Sequence, residues 1–354
     1  MPLETFEHNR LESSAARAAA RDLIGLFDPS ENPPFPPESS FGAPPLVDDV
    51  EAIPRVSIPE KTETGRVYAV DGGSSVLAKG GNIEVVAWRA GMVVFKGTQR
   101  LSESCPPPEI RAYNRLNAPN VIREYLIDDR EDDDAGETIV RLVDDLRYLT
   151  EWRMAEQIID EAEADSIILM DGNLRVNPVF GSGMEKRILL KAGDKGVHVA
   201  AVTKETRLSQ NFGAPLDINA EDKTKAQAGV WNRRISKPLP ESSPWLGDLY
   251  QTCLHPCAEK LYLIYINRYD TAPAIDLFSA LAGVSDDVEF CGYPYPLAAA
   301  HRLARIDSSF KTIMQERVGA ALEQAGFSSQ KWDYLKGDIH IKLNADLQAL
   351  AGGV

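Results

Sequence analysis

Two stretches of this chain read alike, and together they limit what it can fold into more than any other feature. Arg66-Val67-Tyr68-Ala69-Val70 runs into Asp71-Gly72-Gly73-Ser74, and Ser166-Ile167-Ile168-Leu169-Met170 runs into Asp171-Gly172-Asn173. A short continuous apolar run bounded by Asp and Gly fits a strand buried on both faces. Each strand is expected to carry a carboxylate to its C-terminal end and then turn on its glycines. One Asp-Gly after a strand is an ordinary turn. Two of them in one sheet set two carboxylates on the same edge, which suits a divalent ion engaged in phosphoryl transfer.

Between the two runs the sequence reads as a meander and then a helix. Strands are expected at Asn82–Trp88 and Met92–Lys96, joined by Arg89-Ala90-Gly91, a short Gly-containing link of the hairpin kind. Cys105 to Asn120 carries Pro106-Pro107-Pro108 and reads as loop. The helix over 137–163 is the clearest of all, with Leu142, Val143, Leu146, Leu149, Trp152, Ala155, Ile158 and Ile159 at helical spacing. After the second run come a helix at Met184–Ala192, a strand at Val197–Lys204, a loop or insertion at 205–250 bearing Arg233, Arg234 and Lys237, and a strand at Leu261–Asn267. Pro294 and Pro296 then open a helix that carries His301, and the tail from 309 to 350 reads as helical. This order is mixed α/β. An antiparallel meander with an acid on its first strand, a helix, and a strand ending in a second acid fit a ribonuclease H-like core, a mixed sheet flanked by helices.

Residues 1–60 stand apart from that core. A helix over 3–28 is followed by a Pro-rich arm over 29–60 that includes Pro33, Pro34, Pro36, Pro37, Pro44 and Pro45. The helix packs either on a partner subunit or on its own domain. Residues 61–354 are expected to form one domain, with insertions near 105–136 and 205–250.

Charge sets a further condition. The net charge of −15 is opposite to that of a protein that holds DNA by itself through phosphate contacts. Either nucleic acid is not bound, or positive residues are gathered locally, or a partner supplies them. The run Glu131-Asp132-Asp133-Asp134 reads as a solvated loop, because four adjacent acids cannot all face one ion. No apolar run has the length of a membrane span, and the N-terminus lacks the pattern of a secretory signal. Four cysteines (Cys105, Cys253, Cys257 and Cys291) are too few and too irregular for a disulfide framework, so a reducing, cytoplasmic setting is expected.

The remaining site candidates come from periodicity. Glu151 shares a helix face with Val143, Arg147, Met154, Ala155 and Ile158, where an acid is costly to bury unless it is paired or on a metal. Arg147 is the plain structural partner for it. Glu156, beside Trp152, Ile159 and Glu163, reads as more exposed. Asp71, Asp171 and Glu151 together supply hard oxygen ligands for Mn²⁺ or Mg²⁺, and a histidine can complete such a set or handle a proton. There is no G-x-x-x-x-G-K-[ST], H-E-x-x-H or G-x-S-x-G motif. Cys253, His255 and Cys257 lack a second ligand pair at zinc spacing.

Taken together, Tyr68-Ala69-Val70-Asp71-Gly72-Gly73-Ser74, Leu169-Met170-Asp171-Gly172-Asn173-Leu174 and Gly292-Tyr293-Pro294-Tyr295-Pro296-Leu297 with His301-Arg302-Leu303-Ala304 resemble the NurA family of nucleases over roughly residues 65–307. The resemblance implies a ribonuclease H-like, manganese-dependent deoxyribonuclease with 5′→3′ exonuclease and single-strand endonuclease activity. It implies a homodimer that docks on the hexameric DNA translocase HerA in DNA end resection and repair. Carried over residue by residue, it implies metal ligands at Asp71, Glu151, Asp171 and His301 and a catalytic Tyr293, with Glu156 and Tyr295 as alternatives for the Glu and the Tyr. Asn173 departs from the Ser often found there. The competing classes are an ATP-binding protein of the actin and sugar-kinase type, which needs a second copy of the core, and an inactive adaptor of a translocase.

Overall fold

The computed structural model describes residues 3–26, 46–47, 50, 52–60, 65–80, 83–125, 142–177, 180, 183–203, 207–208, 216–217 and 229–336. In chain order these form α1 (Leu3–Leu26), β1 (Val56–Ser57), β2 (Arg66–Gly80), β3 (Ile83–Lys96), β4 (Gln99–Ser104), β5 (Glu109–Tyr113), α2 (Ala118–Tyr125), α3 (Leu142–Glu161) and β6 (Ile167–Asp171). There follow α4 (Met184–Asp194), β7 (His198–Thr203), β8 (Arg207–Leu208), β9 (Leu216–Asp217), β10 (Trp231–Arg234), β11 (Gly247–Cys253), β12 (Tyr262–Asn267), α5 (Ala274–Ala282), α6 (Tyr295–Ala304), α7 (Ser308–Gln324) and α8 (Ser329–Lys336).

The main sheet has ten strands in the order β1-β10-β11-β12-β7-β6-β2-β3-β4, with β5 also on β3; β8 and β9 pair only with each other. The strands β2, β3 and β4 form the antiparallel meander, and β6 and β7 then add in parallel beside β2. That is the ribonuclease H-like core expected from the sequence. The antiparallel strands β12, β11, β10 and β1 extend it. The described residues hold one copy of this core, where an actin-type protein carries two.

Burial follows from the apolar patterning. Leu142, Leu146, Leu149, Trp152 and Ile159 of α3 pack on one face of the sheet with Val70 and Met170. Leu277, Phe278 and Leu281 of α5 and Leu297 and Ala300 of α6 cover the other face with Ala69 and Leu169. A third cluster joins α1, α7 and α8 to the far ends of β2 and β3 through Ala19, Leu23, Leu77, Val85, Met314 and Trp332. The N-terminal helix therefore packs on its own domain. Among the described residues no helix is long and apolar enough to cross a membrane.

Several local expectations change. The chain does not turn at Asp71-Gly72-Gly73: β2 runs through it, paired as Asp71↔Gly91, Gly72↔Ala90 and Gly73↔Arg89. Nor is Arg89-Ala90-Gly91 a hairpin link; it lies inside β3, and the pairing of β2 with β3 runs on to Gly80↔Ile83. These glycines sit where other chain segments press on the strands, a use of Gly that looks like turn chemistry in a sequence. The loop expected at Cys105–Asn120 contains β5 and the start of α2, and the one at 205–250 contains β10 and part of β11. Val56 and Ser57, at the end of the Pro-rich arm, form an edge strand on β10. The acidic run 131–134, Lys204 and most of the arm lie outside the described residues.

The first turn of α3 shows one marked electrostatic effect. Asp144 and Asp145 sit where the helix dipole favours anions. Even so, burial, with Asp144 adding, pushes the Asp145 carboxyl up to about 7, against a 3.3 Å hydrogen bond donated by Asn177 Nδ2. The folded chain holds this proton at pH values where the unfolded chain has released it. The stability it contributes is complete below the ordinary value of 3.8 and is lost as pH rises through about 7. Asp145→Asn is expected to raise the melting temperature at about pH 8 and leave it nearly unchanged at about pH 4. Equal shifts at both pH values in thermal melts would contradict this.

Candidate metal and catalytic site

The register of the parallel pair builds the site. Val67↔Ile167 through Val70↔Met170 are partners, so the next residues along, Asp71 and Asp171, come side by side. There the strands part: β6 ends, with Gly172 in a left-handed conformation (φ 103°), while β2 continues to Gly80. The second Asp-Gly is thus the turn expected of it.

Side chains alternate across β2. Asp71 therefore points to the α6 side, as Ala69 does, and His301 meets it there with Nδ1 2.6 Å from Asp71 Oδ2. Asp71 is 1% exposed, whereas half of the His301 side chain is accessible. The Gly72 N–H donates to Asp71 Oδ1 at 2.8 Å.

Glu151 reaches the same place from α3 on the opposite side of the strand. It is buried, and Arg147 Nη1 donates to its Oε1 at 3.1 Å. Gly72 makes the approach possible, because a Cβ there would lie 2.2 Å from Glu151 Oε1 and 2.5 Å from Arg147 Cγ. The adjacent Thr150 accepts a 3.1 Å hydrogen bond from Trp88 Nε1 of β3, which ties this turn of α3 to the sheet.

Burial dominates the electrostatics, and the neighbouring carboxylates add to it. Burial, with Asp71 and Asp171 adding, pushes the Glu151 carboxyl up to about 8, even though Arg147 and the Gly72 amide oppose the shift. Burial works against the Arg147 charge, but Glu151, Asp144, Asp71 and Asp171 outweigh it and raise that pKa. The Tyr293 hydroxyl is held protonated by burial, with Asp171 and Asp71 adding to the shift. Its ring packs on Tyr262 at 5.2 Å.

Two alternatives separate by position. The carboxylate of Glu156 is engaged by α4, with Arg187 Nη1 at 2.6 Å and Lys191 Nζ at 3.8 Å. The ring of Tyr295 packs edge-on against Phe95 at 5.8 Å. Glu156 thus belongs to an ion pair between helices and the half-buried Tyr295 to a ring contact with β3, whereas Glu151 and Tyr293 are buried side chains whose titration Asp71 and Asp171 both push up.

Arg89 was not legible as part of this arrangement. It donates from Nε to the Ala304 carbonyl at 2.9 Å, and from Nη2 to those of Leu303 at 3.1 Å and Arg305 at 2.7 Å. It thereby satisfies carbonyls at the C-terminal end of α6, the helix that presents His301. The contact spans more than two hundred residues of chain, and local patterning carries no trace of it.

Among the described residues no group of three His, Cys, Asp or Glu side chains stands as a ready-made ion cage. The chemistry of the donor set nevertheless fits a hard divalent cation. Asp71, Glu151 and Asp171 supply carboxylate oxygens, the hard ligands that such an ion takes.

A family model described as the NurA domain matches residues 65–306. Among solved structures, the NurA nuclease from Sulfolobus solfataricus aligns at 18% identity over 77% of this chain and 88% of that one, with a TM-score of 0.49. The catalytic domain of human endonuclease V aligns at 15% identity over 86% and 96%, with a TM-score of 0.37. A Ciona intestinalis endonuclease V in complex with inosine-containing DNA aligns at 11% identity over 69% and 86%, with a TM-score of 0.36. No curated protein sequence matches. The family match spans more than half of the chain and takes in Asp71, Glu151, Asp171, Tyr293 and His301: the chain belongs to the NurA family of nucleases.

Proposed function

We propose that this protein is a divalent-metal-dependent deoxyribonuclease, with Mn²⁺ as its working ion and Mg²⁺ as a weaker substitute. In this reading it combines 5′→3′ exonuclease and single-strand endonuclease activity. It works as a homodimer on a HerA-type hexameric translocase during DNA end resection and repair. One observation carries the proposal: Asp71 and Asp171 lie side by side on parallel strands, Glu151 reaches them over Gly72, and His301 is on Asp71.

Asp71, Asp171 and Glu151 would hold the metal, with His301 completing the set. A bound divalent ion supplies charge stabilisation at the scissile phosphate and lowers the pKa of water. The chain's own residues do the rest. Asp71 accepts from His301 Nδ1 and fixes the ring, which leaves Nε2 to bind or to move a proton at the exposed side. Burial keeps Tyr293 a hydrogen-bond donor, suited to orienting a phosphate oxygen or His301. Arg147 neutralises part of the carboxylate charge and steadies Glu151. A translocase that threads DNA to this site resolves the net charge of −15, since the nuclease need not hold the strand alone.

The test compares two helix acids on labelled DNA in Mn²⁺. Glu151→Ala is expected to lower cleavage by on the order of 10²-fold or more. Glu156→Ala should stay near wild type in activity and lose only the α3–α4 ion pair. Loss at Glu156 alone would overturn the assignment.

A further inference from the structure

A second cluster of reactive side chains lies outside the acidic site. It forms where the connection between β11 and β12 meets the turn before α6. Gly292 brings the two together: its φ is 83°, and a Cβ there would fall 2.4 Å from Ala258 Cβ. His255 sits between the two turns. Its Nδ1 accepts the Cys257 backbone N–H at 3.1 Å. A backbone N–H can only donate, so Nδ1 is the unprotonated nitrogen and the ring proton is on Nε2. Nε2 lies 3.0 Å from Asp286 Oδ1. Cys291 Sγ lies 2.8 Å from the same Nδ1, so its S–H and the Cys257 N–H share the one lone pair there, and of the two only the S–H can give up its proton. A thiol, an imidazole base and an orienting carboxylate are thus in series, the arrangement that activates a nucleophile at the moment of attack.

From this geometry we propose that Cys291 is a peroxide-sensitive thiol and that Cys257 is its resolving partner. Cys257 is exposed and Cys291 half-buried, so both are within reach of a small oxidant, whereas Cys253 is buried. Burial, together with Cys257, Asp286 and Glu259, pushes the Cys291 thiol up, so the thiolate does not form unaided and the reaction depends on His255 taking the proton during attack. The same negative surroundings disfavour anionic disulfide oxidants and favour neutral peroxides.

The chemistry balances in two steps. His255 Nδ1 takes the thiol proton while the sulfur attacks a peroxide oxygen. The S–O bond forms, the O–O bond breaks, and the departing oxygen takes the proton from His255 and leaves as water or an alcohol. Cys291 is oxidised by two electrons to the sulfenic acid and the peroxide is reduced. The Cys257 thiol then attacks the Cys291 sulfur, the S–S bond forms, and the S–O oxygen leaves as water with the Cys257 proton. The disulfide would tie the β11–β12 connection to the entry of α6, two residues from Tyr293.

The experiment uses the reduced full-length chain, hydrogen peroxide at about one equivalent, and peptide mapping without reduction. A Cys257–Cys291 disulfide is expected as the main product, and Cys257→Ser should trap a dimedone-reactive sulfenic acid on Cys291. His255→Ala should slow the oxidation by about tenfold or more. Asp286→Asn, at an exposed side chain, serves as the second variant and should slow it as well. Oxidation of Cys291 no faster than that of Cys105 would overturn the proposal, as would a rate unchanged in both His255→Ala and Asp286→Asn, or co-purified zinc that protects both thiols.

Discussion

Asp71→Ala is expected to remove DNA cleavage, with a loss on the order of 10³-fold or more in Mn²⁺. No neighbour can replace this carboxylate: Asp171 is on the next strand, Glu151 is tied to Arg147, and His301 takes its orientation from Asp71 itself. The fold should tolerate the change. Asp71 is one of the charges that push Glu151 up, so its removal relieves repulsion in a buried site. An inactive variant with an unchanged or raised melting temperature is the expected result. Retained cleavage by a well-folded Asp71→Ala protein would contradict the assignment.

Gly73→Ala should have the second largest effect, through packing rather than chemistry. A Cβ at Gly73 would lie 2.1 Å from the Ala304 carbonyl oxygen, a backbone atom that cannot swing aside. Either β2 or the end of α6 must move, at an overpacking cost of about 1–3 kcal/mol. Arg89, opposite Gly73 in the sheet, holds the same three carbonyls, so displacement there loosens its capping as well. His301 is one turn back along α6, and its contact with Asp71 should suffer. Cleavage at a temperature well below unfolding is expected to fall by about tenfold or more. Gly72→Ala provides the contrast, since its Cβ would meet side-chain atoms of Glu151 and Arg147 that can shift. Its stability loss should be smaller, with the defect concentrated in activity. Unchanged melting and cleavage in Gly73→Ala would show that α6 is not held as described.

The core of the fold was legible because burial left a strong local signal. The stripe from Leu142 to Ile159 gave α3, and the apolar runs before Asp71 and Asp171 gave two central strands. The burial of Glu151 and its pairing with Arg147 were also visible, since both follow from helical spacing. Glycine was the point of failure. Gly72, Gly73 and Gly91 read as turn residues, yet they lie inside long strands where α3 and α6 come close. A missing Cβ serves a turn and a close approach equally well, and only the tertiary partner tells them apart. Arg89 and the meeting of His255 with Cys291 were hidden for a related reason, being contacts between segments far apart in the chain. β10 and β11 went unrecognised because polar residues such as Asn232, Arg233 and Gln251 interrupt them.

The central claim is that Asp71 and Asp171 share a metal ion. It is tested most directly by a crystal of the protein soaked in Mn²⁺, with data collected for the anomalous signal of manganese. An anomalous peak bonded to both aspartates is the predicted result. Ordered aspartates with no manganese between them, or manganese bound only elsewhere, would contradict it.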